Sequence, residues 1–162
     1  MQMIAAELSV DRTTLFRWVG NRDALLIEIL TYLTDRALRT SAAEATGVGG
    51  PRIVAIASAY AARVIDASYY RAFLRREPER SLRLITTKAS PLQQHVVQTF
   101  ESLFREEAAA GFVHPLELGD LAYLTVRIIE SFIYADLITG NDPDWRKVEA
   151  AVAALLRVDK AA

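Results

Sequence analysis

Arg12, Thr13, Thr14 and Arg17 fall on one short run, with Leu15 and Phe16 between them. At helical spacing Leu15 and Phe16 turn back toward Ile4, Ala5 and Leu8, and the arginines and threonines are left facing outward. Guanidinium and hydroxyl groups on one exposed face are the donors that meet base edges and phosphates of duplex DNA. Thr13, Thr14 and Arg17 are the expected contacts to bases, and Arg12, Trp18 and Arg22 the expected contacts to phosphate. Replacing Arg22 by Ala is expected to weaken binding to all sequences alike.

A second set lies far along the chain. Tyr123, Arg127, Glu130 and Tyr134 fall within an arc of about 60° on one helix. Such an arc can wall a ligand pocket, with Arg127 donating to a carbonyl or carboxylate and the tyrosines giving ring surface and a hydroxyl each. It can equally form an interface, or a solvated face with an i,i+3 pair between Arg127 and Glu130. Tyr69, Tyr70, Phe73, His95 and Phe100 are further pocket candidates, and the aromatics among them have the spacing of core residues too. Catalysis is not expected. His95 and His114 are the only bases suited to neutral pH, and neither belongs to a nucleophile or metal motif. Glu106 and Glu107 point to different helix faces, and Gly47, Gly49 and Gly50 follow a helix where a phosphate loop would precede one. No catalytic residue, metal site or cofactor is assigned.

The elements that would position these groups are all helices. Ser9-Val10-Asp11 makes a turn, and Asp11 can cap the helix that follows it. Helix, turn and outward-facing second helix together are a helix-turn-helix. Asn21 caps a long helix through Leu25, Leu26, Ile29, Leu30, Leu33 and Leu38. Thr46-Gly47-Val48-Gly49-Gly50 reads as a hinge, and Pro51 starts the next helix. Two short helices meet at Pro78, a long one runs from Ser90 to Gly111, a very apolar one from about Glu117 to Thr139, and a last one from about Asp144 to Val158. The fold class is all-α, with a helix-turn-helix head and connecting helix over residues 1–45 and a helical ligand-binding and dimerisation body over 46–162.

Composition narrows the class further. The chain has 162 residues, 52% of them hydrophobic, and no cysteine, so it can bury a core without disulfides or thiolate metal sites. No apolar run reaches the roughly 18 residues of a membrane span, and no signal peptide is visible. A cytoplasmic location is expected. Residues 1–40 carry five arginines against five acids, so the head has no net positive field to attract phosphate. The basic run from Arg71 to Arg83 is expected to be a solvated face, or else the gate through which motion of the body reaches the long helix after Asn21. The acidic C-terminal third argues against a second nucleic-acid surface.

Thr14-Leu15-Phe16-Arg17-Trp18-Val19 followed by Asn21-Arg22-Asp23-Ala24-Leu25-Leu26 resembles the DNA-binding end of the TetR family of bacterial regulators. Phe16 and Trp18 stand where that family commonly has tyrosines, which leaves only the Trp18 indole N–H as a donor. Phe73 to Arg80, with Asp120 to Tyr123 and Glu130 to Asp136, looks like the QsdR branch, whose repressor governs degradation of lactone signals. The resemblance implies a repressor released from a double-stranded DNA operator by a small effector of lactone or acyl-like chemistry. It also implies a homodimer joined by the Glu117–Thr139 helix and the last helix, with Trp145, Val148, Val152, Leu155 and Leu156 in the seam. Relatives carry a helix before the residue matching Met3. The chain is expected to lack it, leaving Leu15, Val19 and Leu25 short of one wall. The alternative reading is a dimeric ligand-binding module that has lost DNA binding with that helix.

Overall fold

A computed structural model describes residues 1–87 and 90–158, in which every regular element is a helix. The head is α1 (Gln2–Glu7), α2 (Arg12–Val19) and the start of α3 (Arg22–Glu44). The body is α4 (Gly50–Asp66), α5 (Ser68–Arg76), α6 (Pro78–Thr86), α7 (Pro91–Ala109), α8 (Leu118–Ile133), α9 (Ala135–Ile138) and α10 (Trp145–Leu155). α8 packs along α7, α10 closes over α4 and α8, and α3 lies across α4 and α7. The core between them holds Leu38, Ile53, Ile56, Phe100, Phe104, Leu121 and Ile129.

The head is built by its caps. The Asp11 carboxylate accepts from the Thr14 amide at 2.8 Å and from the Thr14 hydroxyl at 2.6 Å. Asn21 Oδ1 accepts from the amides of Asp23 and Ala24, both at 2.9 Å, and starts α3. These bonds satisfy donors that the first turn of a helix leaves open. Ala5 and Leu15 are the buried residues of α1 and α2, Val19 and Leu25 are half-buried, and Met3, Leu8, Ile29 and Tyr32 are exposed.

Four details depart from the sequence reading. Gly49 and Gly50 are not a free hinge: the Gly49 amide and the Arg52 guanidinium both donate to the buried Glu107, each at 2.5 Å. Any side chain at Gly50 would meet Val158 at 2.8 Å. The apolar helix expected to reach Thr139 stops at Ile133, because the buried Arg71 donates to the Ile133 carbonyl at 3.0 Å and pairs with Asp136 just beyond. A guanidinium satisfies an end carbonyl and suits the negative end of the helix dipole. Val148, Val152 and Leu156 do not face outward for a seam; they are buried in this chain's own core, and Trp145 and Leu155 stay half-buried. Finally, the 71–83 run is not uniformly a solvated face. Arg75, Arg76 and Arg83 are exposed, whereas Arg71 is 9% exposed.

Candidate functional site

Inside the body, α3, α4, α5, α7 and α8 enclose a cavity of about 510 Å3. Its walls are mostly apolar, from Leu30 and Leu33 of α3 to Val96 of α7 and Val126, Ile129 and Ile133 of α8. Its size and lining are those of a small-molecule site. Arg36, Thr40, Glu44, Arg63 and Tyr69 stand at the outer rim, with Arg63 and Glu44 paired. Tyr60, Tyr70, Gln93, Glu130 and Tyr134 bring polar atoms to its inner end.

The tyrosine hydroxyls of Tyr70 and Tyr134 meet at 2.8 Å, and Tyr60 pairs with Thr34. Burial pushes all three phenols well above their ordinary pKa, so they stay protonated donors. Glu130 is 8% exposed. Arg127 Nη1 donates to one of its oxygens at 2.5 Å. The Gln93 amide, turned so that its nitrogen faces the other oxygen, donates to it at 2.5 Å and to the Ile85 carbonyl at 3.1 Å. Burial raises the Glu130 pKa from 4.5 to about 7, with Arg127 and Gln93 pulling the other way.

That shift makes a pH-dependent prediction. Between about 4.5 and 7 the folded chain holds a proton on Glu130 that the unfolded chain has lost, so stability falls as pH rises through that window. Glu130→Gln removes the charged form and with it the cost of burying it. The variant should be more stable than the parent at pH 8, by roughly 1–3 kcal/mol, and gain little at pH 5. Urea unfolding midpoints at the two pH values check this; an equal gain at both would mean burial of the charge is not the cause.

The structure divides the sequence-selected pocket residues. Tyr70, Glu130 and Tyr134 line the cavity. Arg127 instead opens onto a small adjoining pocket of about 120 Å3, which Glu130 and Tyr134 also border. Tyr123 is 52% exposed. The arc on α8 is split because Tyr70 of α5 meets Tyr134 and Gln93 of α7 meets Glu130, whereas Tyr123 at the other end stays exposed. His95 lies on α7 about 60° around from Leu92, about 100° from Val96 and about 160° from Gln93; its Nε2 meets Asp35 of α3 at 2.5 Å, outside the cavity lining. Phe73 is half-buried, 6.4 Å from the Tyr70 ring and away from the lining. Phe100 is fully buried in the core, edge-on to Tyr60 at 6.4 Å.

Tyr60, Thr34 and Gln93 also line the cavity, and no sequence motif singles them out. Tyr60 is the only hydroxyl in the apolar stripe of α4, and Gln93 is the polar residue beside Leu92 and Val96. In both, a polar atom on a buried face is the signal the sequence carries. His114 serves structure: its Nε2 donates to the Leu155 carbonyl at 3.2 Å and its Nδ1 accepts from the Leu116 amide at 3.1 Å. Among the described residues, no three acidic or histidine side chains gather as a metal would require. Nor is any helix among them long and apolar enough to cross a membrane.

On the head, Arg12, Thr13, Arg17 and Trp18 are exposed, with Trp18 at 61%. The Arg12 guanidinium lies over the Phe16 ring, 5.2 Å from its centroid, and the Thr14 hydroxyl is turned to Asp11. Arg22 donates to Glu77 at 3.1 Å, and Arg80 pairs with both Glu77 and Asp23. These ion pairs join the α5–α6 corner of the body to the first turn of α3, immediately after α2. Arg80 is therefore a contact with the long helix.

Residues 48–157 match the family model described as "Tetracyclin repressor-like, C-terminal domain". The chain is also similar to the solved structure of the R. erythropolis transcriptional repressor QsdR from the TetR family. That likeness has a TM-score of 0.87 and 28% identity, and it covers 99% of this chain and 86% of the other. No curated protein matches the sequence.

Proposed function

Because this chain belongs to the TetR family, we propose that it is a dimeric DNA-binding repressor released from its operator when a small molecule fills the cavity. One observation supports this most: the similarity to a solved TetR-family repressor runs through the helix-turn-helix head as well as the body. In this reading residues 1–45 are the head with its connecting helix and 46–162 the ligand-binding and dimerising body. Arg17, Thr13 and Thr14 meet base edges, with Thr14 released from Asp11, and Arg12, Trp18 and Arg22 meet phosphates. Two subunits pair through the outer faces of α8 and α10, where Tyr123, Leu124 and Leu155 remain uncovered or half-covered. Such a pair sets two reading helices at a fixed spacing. No enzymatic activity is proposed.

The route from cavity to head is short. Tyr70 reaches the cavity from α5, and α5 ends beside Glu77, which with Arg80 grips Arg22 and Asp23. A ligand shifts this arrangement only as far as its affinity for the two states differs. Fluorescence anisotropy with the DNA upstream of the chain's own gene tests the reading; absence of binding at low salt would remove its central claim. Within that assay, Arg22→Ala should weaken all sequences alike and lower the slope of log K against log salt by about 1. An unchanged slope would leave Arg22 with its Glu77 pairing and no phosphate contact.

A further inference from the structure

The polar groups at the inner end of the cavity come as a charge-balanced set. Glu130 faces the cavity, yet both of its oxygens already have donors, Arg127 on one and Gln93 on the other. Arg127 itself opens onto the small adjoining pocket and not the main cavity. The remaining inner groups are the neutral phenols Tyr60, Tyr70 and Tyr134. The other cations of the lining, Arg36 and Arg63, stand at the rim, and Arg63 is paired with Glu44.

We infer that the cavity selects an uncharged molecule: an apolar body carrying one hydrogen-bond acceptor, such as a ketone or ester carbonyl, seated on the Tyr70–Tyr134 pair. Carboxylates and amines of the same size are rejected. This rests on the reading of the cavity as the effector site and narrows it. Burying a charge is costly unless it is paired. A carboxylate at the inner end would face Glu130, and among the described lining residues the cations, Arg36 and Arg63, stand away at the rim. An amine would find Glu130 already neutralised by Arg127 and would meet that guanidinium's charge. An acceptor suits the hydroxyl pair, because two phenols own two protons and their mutual bond uses one. The second proton is left to donate to the ligand.

Isothermal titration calorimetry at pH 8 with the full chain and three ten-carbon probes tests this: 2-decanone, decanoate and decylamine. The ketone is expected to bind at least tenfold more tightly than either ion. Decanoate or decylamine binding as tightly as the ketone overturns the inference, as does failure of all three to bind. The charge balance has its own test. Glu130→Gln leaves Arg127 unopposed, so the ratio of decanoate to ketone affinity should rise at least fivefold. Arg127→Gln leaves Glu130 unopposed, and the ratio of decylamine to ketone affinity should rise likewise. Unmoved ratios in both variants would mean that this pair does not set the selectivity, and would overturn the proposal. DNA release read in parallel separates the two claims. Ketone binding without DNA release leaves the selectivity standing and removes the effector role. Release by decanoate and not by the ketone does the reverse.

Discussion

Phe100→Ala is expected to destabilise the chain by about 3–5 kcal/mol, the range for removing a large ring from a packed core. For a chain of this size that is a fall in Tm of roughly 10 °C. Phe100 has no exposed surface, meets Tyr60 edge-on and sits in the same core as Phe104 and Leu121. Few neighbours can move into the space it leaves, since the rings beside it are themselves fixed in packing. Were Phe100 a ligand contact on an open wall, truncation would enlarge the cavity and cost under about 1 kcal/mol. Urea denaturation of the variant, read by far-UV circular dichroism, separates the two. A loss below about 1 kcal/mol would return Phe100 to the list of pocket residues.

Arg71→Ala carries the second large effect. Arg71 and Asp136 form an ion pair that is mostly shielded from water, with side-chain exposures of 10% and 20%. Removing one partner of such a pair leaves the other charge buried and unmatched, which costs about 3–5 kcal/mol when shielding is complete. Partial exposure of Asp136 reduces that here to about 2–3 kcal/mol, and the Ile133 carbonyl loses its donor as well. Arg71→Ala with Asp136→Ala should recover part of the loss, because no lone charge remains. A double-mutant cycle measures this as a coupling energy. Additive losses would mean that the two side chains act independently. Because Tyr70 precedes Arg71 on α5, the single variant should also loosen the helix that links the cavity to the head.

The helices and their ends were largely legible in the residue order. Asp11 and Asn21 announce α2 and α3 by their side chains alone, because capping is a contact within three residues. The pocket was legible only in part. Periodicity places Tyr123, Arg127, Glu130 and Tyr134 on one face of a helix, but says nothing about which neighbours cover each turn of it. Here Tyr70 of α5 meets Tyr134 and Gln93 of α7 meets Glu130, so both are buried, while Tyr123 is exposed. Gly49 and Gly50 looked like a hinge because glycine permits many backbone conformations. Glu107, more than fifty residues away, removes that freedom.

The sequence by itself determined the all-helical class, the helix-turn-helix with its outward arginines and threonines, and the absence of cysteine chemistry. Each follows from local spacing and residue type. The tertiary structure alone decided that Arg127 is spent on Glu130, that Arg71 ends α8, and that Arg22 and Arg80 tie the body to the head. The physical reason is the same in each case. A charged side chain takes its role from the partner and the solvent it meets, and both are set by helices that lie apart in the chain and together in the fold.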